Sequence, residues 1–234
     1  MKLDAILFDL DGTLLPMDID EFTGGYLGFL AKTLAPYGYK KETLLPAMWK
    51  GVAAMVKNDG KAYNSELFWR VFAEHLGDGV YEQVSVLDDF YRNEFNEAVA
   101  FCAPTPSAAE AVSAAKEKAK YVVLATNPIF PSSAVQSRLN WTNISADSFA
   151  LITDYDNSRF CKPNPAYYTE ITDKLGVDPR NCLMIGNNAD EDIAAAQSAG
   201  LSTFLLTDCL IAKGDIPETP RGDFGALIKY INSL

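Results

Sequence analysis

The sequence predicts an α/β fold: a parallel sheet with helices on both faces, and an all-helical segment inserted after the first strand. Three observations predict it. Five short apolar runs have the length of strands buried on both faces. Helix-like segments separate the last four, the alternation that yields parallel sheets with crossover connections. Between the first run and the second lies a long stretch with no strand pattern and with helically spaced apolar residues.

The first run is Leu3–Phe8. From about Met17 to Ala100 the apolar residues recur at helical spacing, as in Phe22, Tyr26, Phe29, Leu30 and Leu34, and again in Leu67, Phe68, Val71, Phe72 and Leu76. Breaks at Pro36-Tyr37-Gly38, Asn58-Asp59-Gly60 and Gly77-Asp78-Gly79 divide the stretch into four helices packed as a small bundle. Pro106–Lys118 opens on Pro and Ser and is rich in Ala and Glu, a helix leading to the second run, Tyr121–Ala125. Helix Ser132–Leu139, strand Phe149–Ile152 and helix Pro165–Leu175, stopped at Gly176, come next. Strand Cys182–Ile185 precedes helix Asp190–Ala199, which Gly200 caps. Strand Thr203–Leu206 and helix Arg221–Ile231 close the chain. The resulting domain division is 1–15 with 104–234 for the α/β core and 16–103 for the inserted helical domain.

Composition narrows the function. The chain has 234 residues, 31 acidic and 20 basic, for a formal charge of −11. An acidic balance disfavours an open basic surface for nucleic acid, yet a local positive site can still take a small phosphorylated substrate. The single histidine, His75, rules out any multi-histidine metal site, and it reads as packing or surface. Cys102, Cys161, Cys182 and Cys209 lack a Cys-x-x-Cys spacing and read as free thiols in a reducing compartment. The segment MKLDAILFDLDG is interrupted by Asp4, Asp9 and Asp11, so it does not read as a signal peptide, and no stretch has the length of a membrane span. The expectation is a cytoplasmic protein with no membrane partner. Oligomeric state is not readable.

In open α/β sheets, function gathers at the carboxyl ends of strands. Asp9-Leu10-Asp11-Gly12-Thr13 follows the first run and Thr126-Asn127-Pro128 the second. Cys161-Lys162-Pro163-Asn164-Pro165 lies after the third, and Gly186-Asn187-Asn188-Ala189-Asp190-Glu191-Asp192 after the fourth. Two aspartates at i and i+2 repel each other at a strand end. They suit a hard cation such as Mg²⁺, with turn and cap chemistry as the competing reading.

FDLDGTLL at Phe8–Leu15 resembles the first signature of the haloacid dehalogenase-like hydrolase superfamily. Thr126, Lys162 in KPNP, and GNNADEDI at Gly186–Ile193 match its other three signatures in order. The resemblance implies a Rossmann-like core with a helical cap, and a Mg²⁺-dependent hydrolase acting on a small phosphorylated metabolite. It implies that Asp9 attacks phosphorus and becomes an aspartyl-phosphate. Asp11 would be the general acid and base, with a raised pKa, and its main-chain carbonyl a Mg²⁺ ligand. Thr126, Asn127 and Lys162 would hold the phosphoryl group. Asp9, Asp11, Asn187 and Asp192 would form the metal site.

One position departs from the family pattern. The superfamily places an acid directly after the glycine of its fourth signature, and here it is Asn187. An amide oxygen still coordinates Mg²⁺, but without charge, so weak metal binding is expected. Asp11 disfavours a dehalogenase, whose leaving group needs no proton. A phosphomutase of the hexose-phosphate type and a catalytically weakened phosphate-binding homologue are the alternatives, and a signalling receiver domain fits neither the length nor the insertion. Lys50, Lys57 and Arg70 read as surface charges of the cap. Cys161, next to Lys162, is a candidate for a lowered thiol pKa.

Overall fold

The computed structural model describes residues 2–234. Its sheet has six parallel strands: β1 (Leu3–Phe8), β2 (Ala119–Leu124), β3 (Leu151–Ile152), β4 (Cys182–Gly186), β5 (Ser202–Leu206) and β6 (Arg221–Gly222). Their order is β3-β2-β1-β4-β5-β6, all pairs parallel. The strand order therefore reverses between β1 and β4, the switch point where such sheets bind ligands.

Period-two alternation sorts the strand residues to two faces. Ile6, Phe8, Val122, Leu124, Leu183 and Ile185 belong to one buried cluster. Helices α5 (Pro106–Lys118), α6 (Ser132–Trp141) and α9 (Phe224–Ser233) cover that face with residues such as Ala111, Ala115, Val135, Leu139, Leu227 and Ile231. Ala5, Leu7, Val123, Cys182 and Met184 form the other cluster. There α7 (Ala166–Leu175) contributes Tyr167, Tyr168 and Ile171, and the short α8 (Ala195–Ser198) contributes Ala195 and Ala196.

The inserted helices are α1 (Ile19–Leu34), α2 (Lys41–Val56), α3 (Asn64–Leu76) and α4 (Val84–Arg92), with 3₁₀ segments between α1 and α2 and between α3 and α4. The three turn signals in the sequence each end on or begin with a left-handed glycine: Gly38, Gly60 and Gly77. Asp18 caps α1 by accepting from the Asp20 and Glu21 amides. The segments that enter and leave the insertion run side by side. Met17 and Cys102 form an antiparallel bridge, and the Ala103 amide donates to the Pro16 carbonyl at 2.8 Å. Aromatic rings join the insertion to the sheet layer: Tyr26 lies 5.5 Å from Phe130 and Phe95 lies 5.3 Å from Trp141, centroid to centroid. Phe95 is fully buried, so its truncation would cost about 3–5 kcal/mol.

Two sequence expectations need correction. Arg221–Ile231 is not one helix. Arg221 and Gly222 pair with Leu205 and Leu206 as β6, and α9 starts after Asp223, whose carboxylate accepts from the Ala226 amide. The cap residue, not the first charged residue, sets that boundary. Asp190–Ala199 is also not a regular α-helix. Ala189–Ala194 is a π-type turn that runs into α8, a wider winding often found at functional sites. Among the described residues, no helix is long and apolar enough to cross a membrane.

Candidate active site

Asp9 follows β1 directly, and its amide donates to the Ile185 carbonyl of β4 at 2.9 Å, so it sits at the switch point. The chain then turns sharply. Gly12 has φ +84°, and a Cβ there would strike the Asn187 side chain. Both demands select glycine. The turn brings Thr13 back toward Asp9, and its hydroxyl lies 3.0 Å from Asp9 Oδ2 and 3.1 Å from Asn187 Oδ1.

Lys162 is buried and bridges two carboxylates, at 2.8 Å from Asp9 Oδ1 and 2.7 Å from Asp192 Oδ1. Burial alone would lower its pKa, but Asp192 and Asp9 outweigh burial and hold the ammonium well above the ordinary lysine value. Asp192 reaches Lys162 from the π-type turn, and its Oδ2 accepts from the Asn188 amide at 3.0 Å. Its carboxyl lies where a Cβ of Gly186 would be, which explains that glycine.

Thr126 and Asn127 extend from the end of β2. Two hydroxyls fix this loop: Thr153 Oγ1 and Tyr167 Oη each donate to the Thr126 carbonyl at 2.8 Å; Tyr168 Oη donates instead to the Glu191 carbonyl in the π-type turn at 2.7 Å. Asn127 Nδ2 donates to Glu191 Oε2 at 3.1 Å, while its Oδ1 is buried without a partner.

Asn187 Nδ2 donates to the Cys209 carbonyl at 2.6 Å. A carbonyl only accepts, so this bond fixes the amide orientation and turns Oδ1 toward Thr13 and Asp9. A neutral oxygen donor thus stands beside a carboxylate. Among the described residues, no three His, Cys, Asp or Glu side chains group as a metal cluster. Asp192 spends both oxygens on Lys162 and the Asn188 amide.

Asp11 is held from inside the protein. Arg138, fully buried on α6, donates through Nη1 to Asp11 Oδ2, and its guanidinium lies 4.2 Å from the Phe130 ring centroid. Asp11 Oδ1 is buried without a partner. Burial raises the Asp11 pKa, Arg138 opposes it, and Asp9 adds to it, for a net rise. The structure therefore gathers Asp9, Asp11, Thr126, Asn127, Lys162, Asn187 and Asp192 around one sheet edge. Asp9, Asp11, Thr126, Asn127, Asn187 and Asp192 line a common cavity.

Sequence reading missed Arg138. The signal was present, because Arg138 follows Ala134 at i+4 and precedes Leu139 within the buried stripe of α6. Tyr167 and Tyr168 carried no such signal, and Thr13 was singled out only as part of the FDLDGTLL motif. Cys161 differs from expectation: burial pushes its thiol up to about 12, and the adjacent lysine points to the acids instead. His75, Lys50, Lys57 and Arg70 are exposed and lie outside the cavity.

Acids and a buried lysine at the switch point of a parallel sheet define an α/β protein with a polar strand-end pocket, the candidate active site. A family model for haloacid dehalogenase-like hydrolases matches residues 3–200. The chain belongs to that family. It is 25% identical over 238 residues to a phosphoglycolate phosphatase of Neisseria gonorrhoeae, covering 99% of this chain and 93% of that protein. It is 25% identical over 226 residues to the pyrophosphatase PpaX of Bacillus cereus, covering 96% and 92%. These relatives place it among the family's phosphatases. Its fold is similar to that of the HAD-hydrolase YfnB from Bacillus subtilis, solved bound to magnesium, with TM-score 0.60, 18% identity and 100% of each chain covered.

Proposed function

We propose that this protein is a magnesium-dependent phosphatase that hydrolyses small phosphomonoesters through an aspartyl-phosphate on Asp9. The observation that carries the reading is the pairing of Asp9 with Lys162 beside a separately held Asp11. Thr13 and Lys162 each engage one oxygen of Asp9, so the carboxylate is oriented before substrate arrives. An Asp9 oxygen attacks phosphorus, and the bond from phosphorus to the leaving oxygen breaks. Asp11 protonates that oxygen. Its Oδ2 is occupied by Arg138 and its Oδ1 is without a partner, so Oδ1 is the oxygen that gives and takes the proton. Water then attacks phosphorus, Asp11 takes its proton, and phosphate leaves Asp9. Thr126, Asn127 and Lys162 hold the phosphoryl oxygens.

The donor set fits a hard cation: the Asp9 carboxylate, the Asn187 amide oxygen turned beside it, and the Asp11 main-chain carbonyl would hold Mg²⁺. Asp192 adds its charge through Lys162. Bound magnesium would offset charge as the phosphoryl group meets a carboxylate. Residues 16–103 act as a cap that excludes water from the first step, and the protein works in the cytoplasm. Phosphate release from a panel of phosphomonoesters with Mg²⁺, beside an Asp9→Asn control, tests the reading. Release that needs both metal and Asp9 supports it, and no release from any ester overturns it.

A further inference from the structure

The cavity above Asp9 is far larger than a phosphoryl group requires. Its volume is about 1260 Å³, above the ~300–1,000 Å³ of most small-molecule sites. The inner end is polar and holds the residues described above. Aromatic side chains of the inserted helices line the rest: Phe22 and Tyr26 are buried, Tyr26 within reach of the Arg138 and Asp11 charges, and Trp49, Trp69 and Tyr81 form the more open outer wall. Several apolar side chains there face water. Trp49 is 52% and Tyr81 46% exposed, and Ile19 and Val84 on the same cavity are exposed as well. Scattered exposed apolar residues are ordinary, whereas a group of them at one cavity marks a surface that receives an apolar body.

The outer walls are also negative. Asp20, Glu82, Asp88 and Asp156 line them. Among the described residues, Lys213 is the single basic side chain lining the cavity; it is exposed, and its charge acts on Glu191. Lys162 and Arg138 are buried and engaged with Asp9, Asp192 and Asp11. A second anion on the substrate would therefore meet mostly aromatic faces and carboxylates, with the exposed Lys213 near Glu191 as the one lining cation among the described residues.

We propose that the leaving group of the substrate is an apolar organic body without a second phosphate or carboxylate, seated against the aromatic outer walls. Phosphoglycolate and pyrophosphate, the compounds named for two relatives, each carry a second anionic group and are poor substrates of this chain. The inference rests on the phosphatase reading above.

The test compares kcat/KM with Mg²⁺ for 2-phenylethyl phosphate, 2-aminoethyl phosphate, 2-phosphoglycolate and pyrophosphate. Acetyl phosphate and Asp9→Asn report on the chemistry itself. The phenylethyl ester is expected to exceed phosphoglycolate and pyrophosphate by about tenfold or more. The aminoethyl ester, matched to phosphoglycolate in size, is also expected to exceed it, which isolates charge from volume. Replacing two wall acids, Glu82→Lys with Asp88→Lys, is expected to move the phenylethyl-to-phosphoglycolate ratio toward phosphoglycolate. Phosphoglycolate or pyrophosphate turned over as fast as the phenylethyl ester overturns this inference alone, as does an unchanged ratio in the double variant. Absence of Asp9-dependent release from every ester, acetyl phosphate included, overturns the phosphatase reading instead.

Discussion

Arg138 holds one oxygen of Asp11 from within the protein and leaves the other free, so a buried guanidinium on α6 sets how the strand-end acid faces the cavity. Arg138 touches no substrate in this arrangement and acts as a positioning residue. Arg138→Met is expected to lower kcat/KM for alkyl phosphates by about ten- to hundredfold, a fraction of what general acid catalysis supplies. Turnover of p-nitrophenyl phosphate should fall far less, because its leaving group departs without a proton. Equal losses on both substrates would make Arg138 merely structural.

The same pair makes a stability prediction. Removing one partner of a buried ion pair leaves the other charge without compensation and costs about 3–5 kcal/mol. Urea unfolding should show this for Arg138→Met. Adding Asp11→Asn removes the stranded carboxylate and should recover part of the loss. A double variant as unstable as the sum of the singles would contradict the pairing.

In the proposed metal site, Asn187 would supply a neutral donor where the family pattern has an acid. Asn187→Asp is expected to lower the half-saturating Mg²⁺ concentration for activity by about tenfold, from one added charge among the oxygen donors. The substitution also sets a carboxylate oxygen against the Cys209 carbonyl, where an amide donor now stands at 2.6 Å. Metal-free Asn187→Asp should therefore melt below the wild type, with the difference narrowing as Mg²⁺ is added. An unchanged Mg²⁺ requirement would remove Asn187 from the donor set.

Much of this site was readable because strand ends converge whenever a parallel sheet forms. Asp9, Thr126 and Asn187 each directly follow a continuous apolar run, and Lys162 lies in the loop after another, so their meeting needed only the strand assignment. The four inserted helices were readable from periodicity and from glycines that must adopt positive φ. Arg138 was hidden because its partner is 127 residues away, and local pattern shows only a charge in an apolar stripe. Tyr167 and Tyr168 have their rings in the core, yet their hydroxyls support the Thr126 and Glu191 loops. The boundary of α9 was lost to β6, a two-residue strand too short for any alternation to register.

Cys161 should be inert toward thiol reagents in the folded protein. It is buried, its Sγ lies 3.3 Å from Asn64 Nδ2, and its pKa stands at about 12, so almost no thiolate forms at neutral pH. Mass spectrometry after brief iodoacetamide treatment at neutral pH should find Cys161 unmodified, with full modification only after unfolding. Rapid native labelling of Cys161 would show that this loop opens, and would restore a redox role for the thiol.

Gly186 ends β4 under the Asp192 carboxyl, and a methyl group there has no space. Gly186→Ala must push Asp192 aside, which removes one of the two carboxylates that hold Lys162. The expected result is a stability loss of about 1–3 kcal/mol from overpacking, together with a fall in kcat of about a hundredfold as Lys162 and Asp9 lose their alignment. Gly24 supplies the contrast. It lies inside α1 with nothing within 4 Å of the added methyl, so Gly24→Ala should raise stability by about 0.5–1 kcal/mol through helix propensity alone. Urea unfolding of both variants, beside phosphate release, separates the two cases. If Gly186→Ala keeps full activity, the alignment of Lys162 does not depend on Asp192.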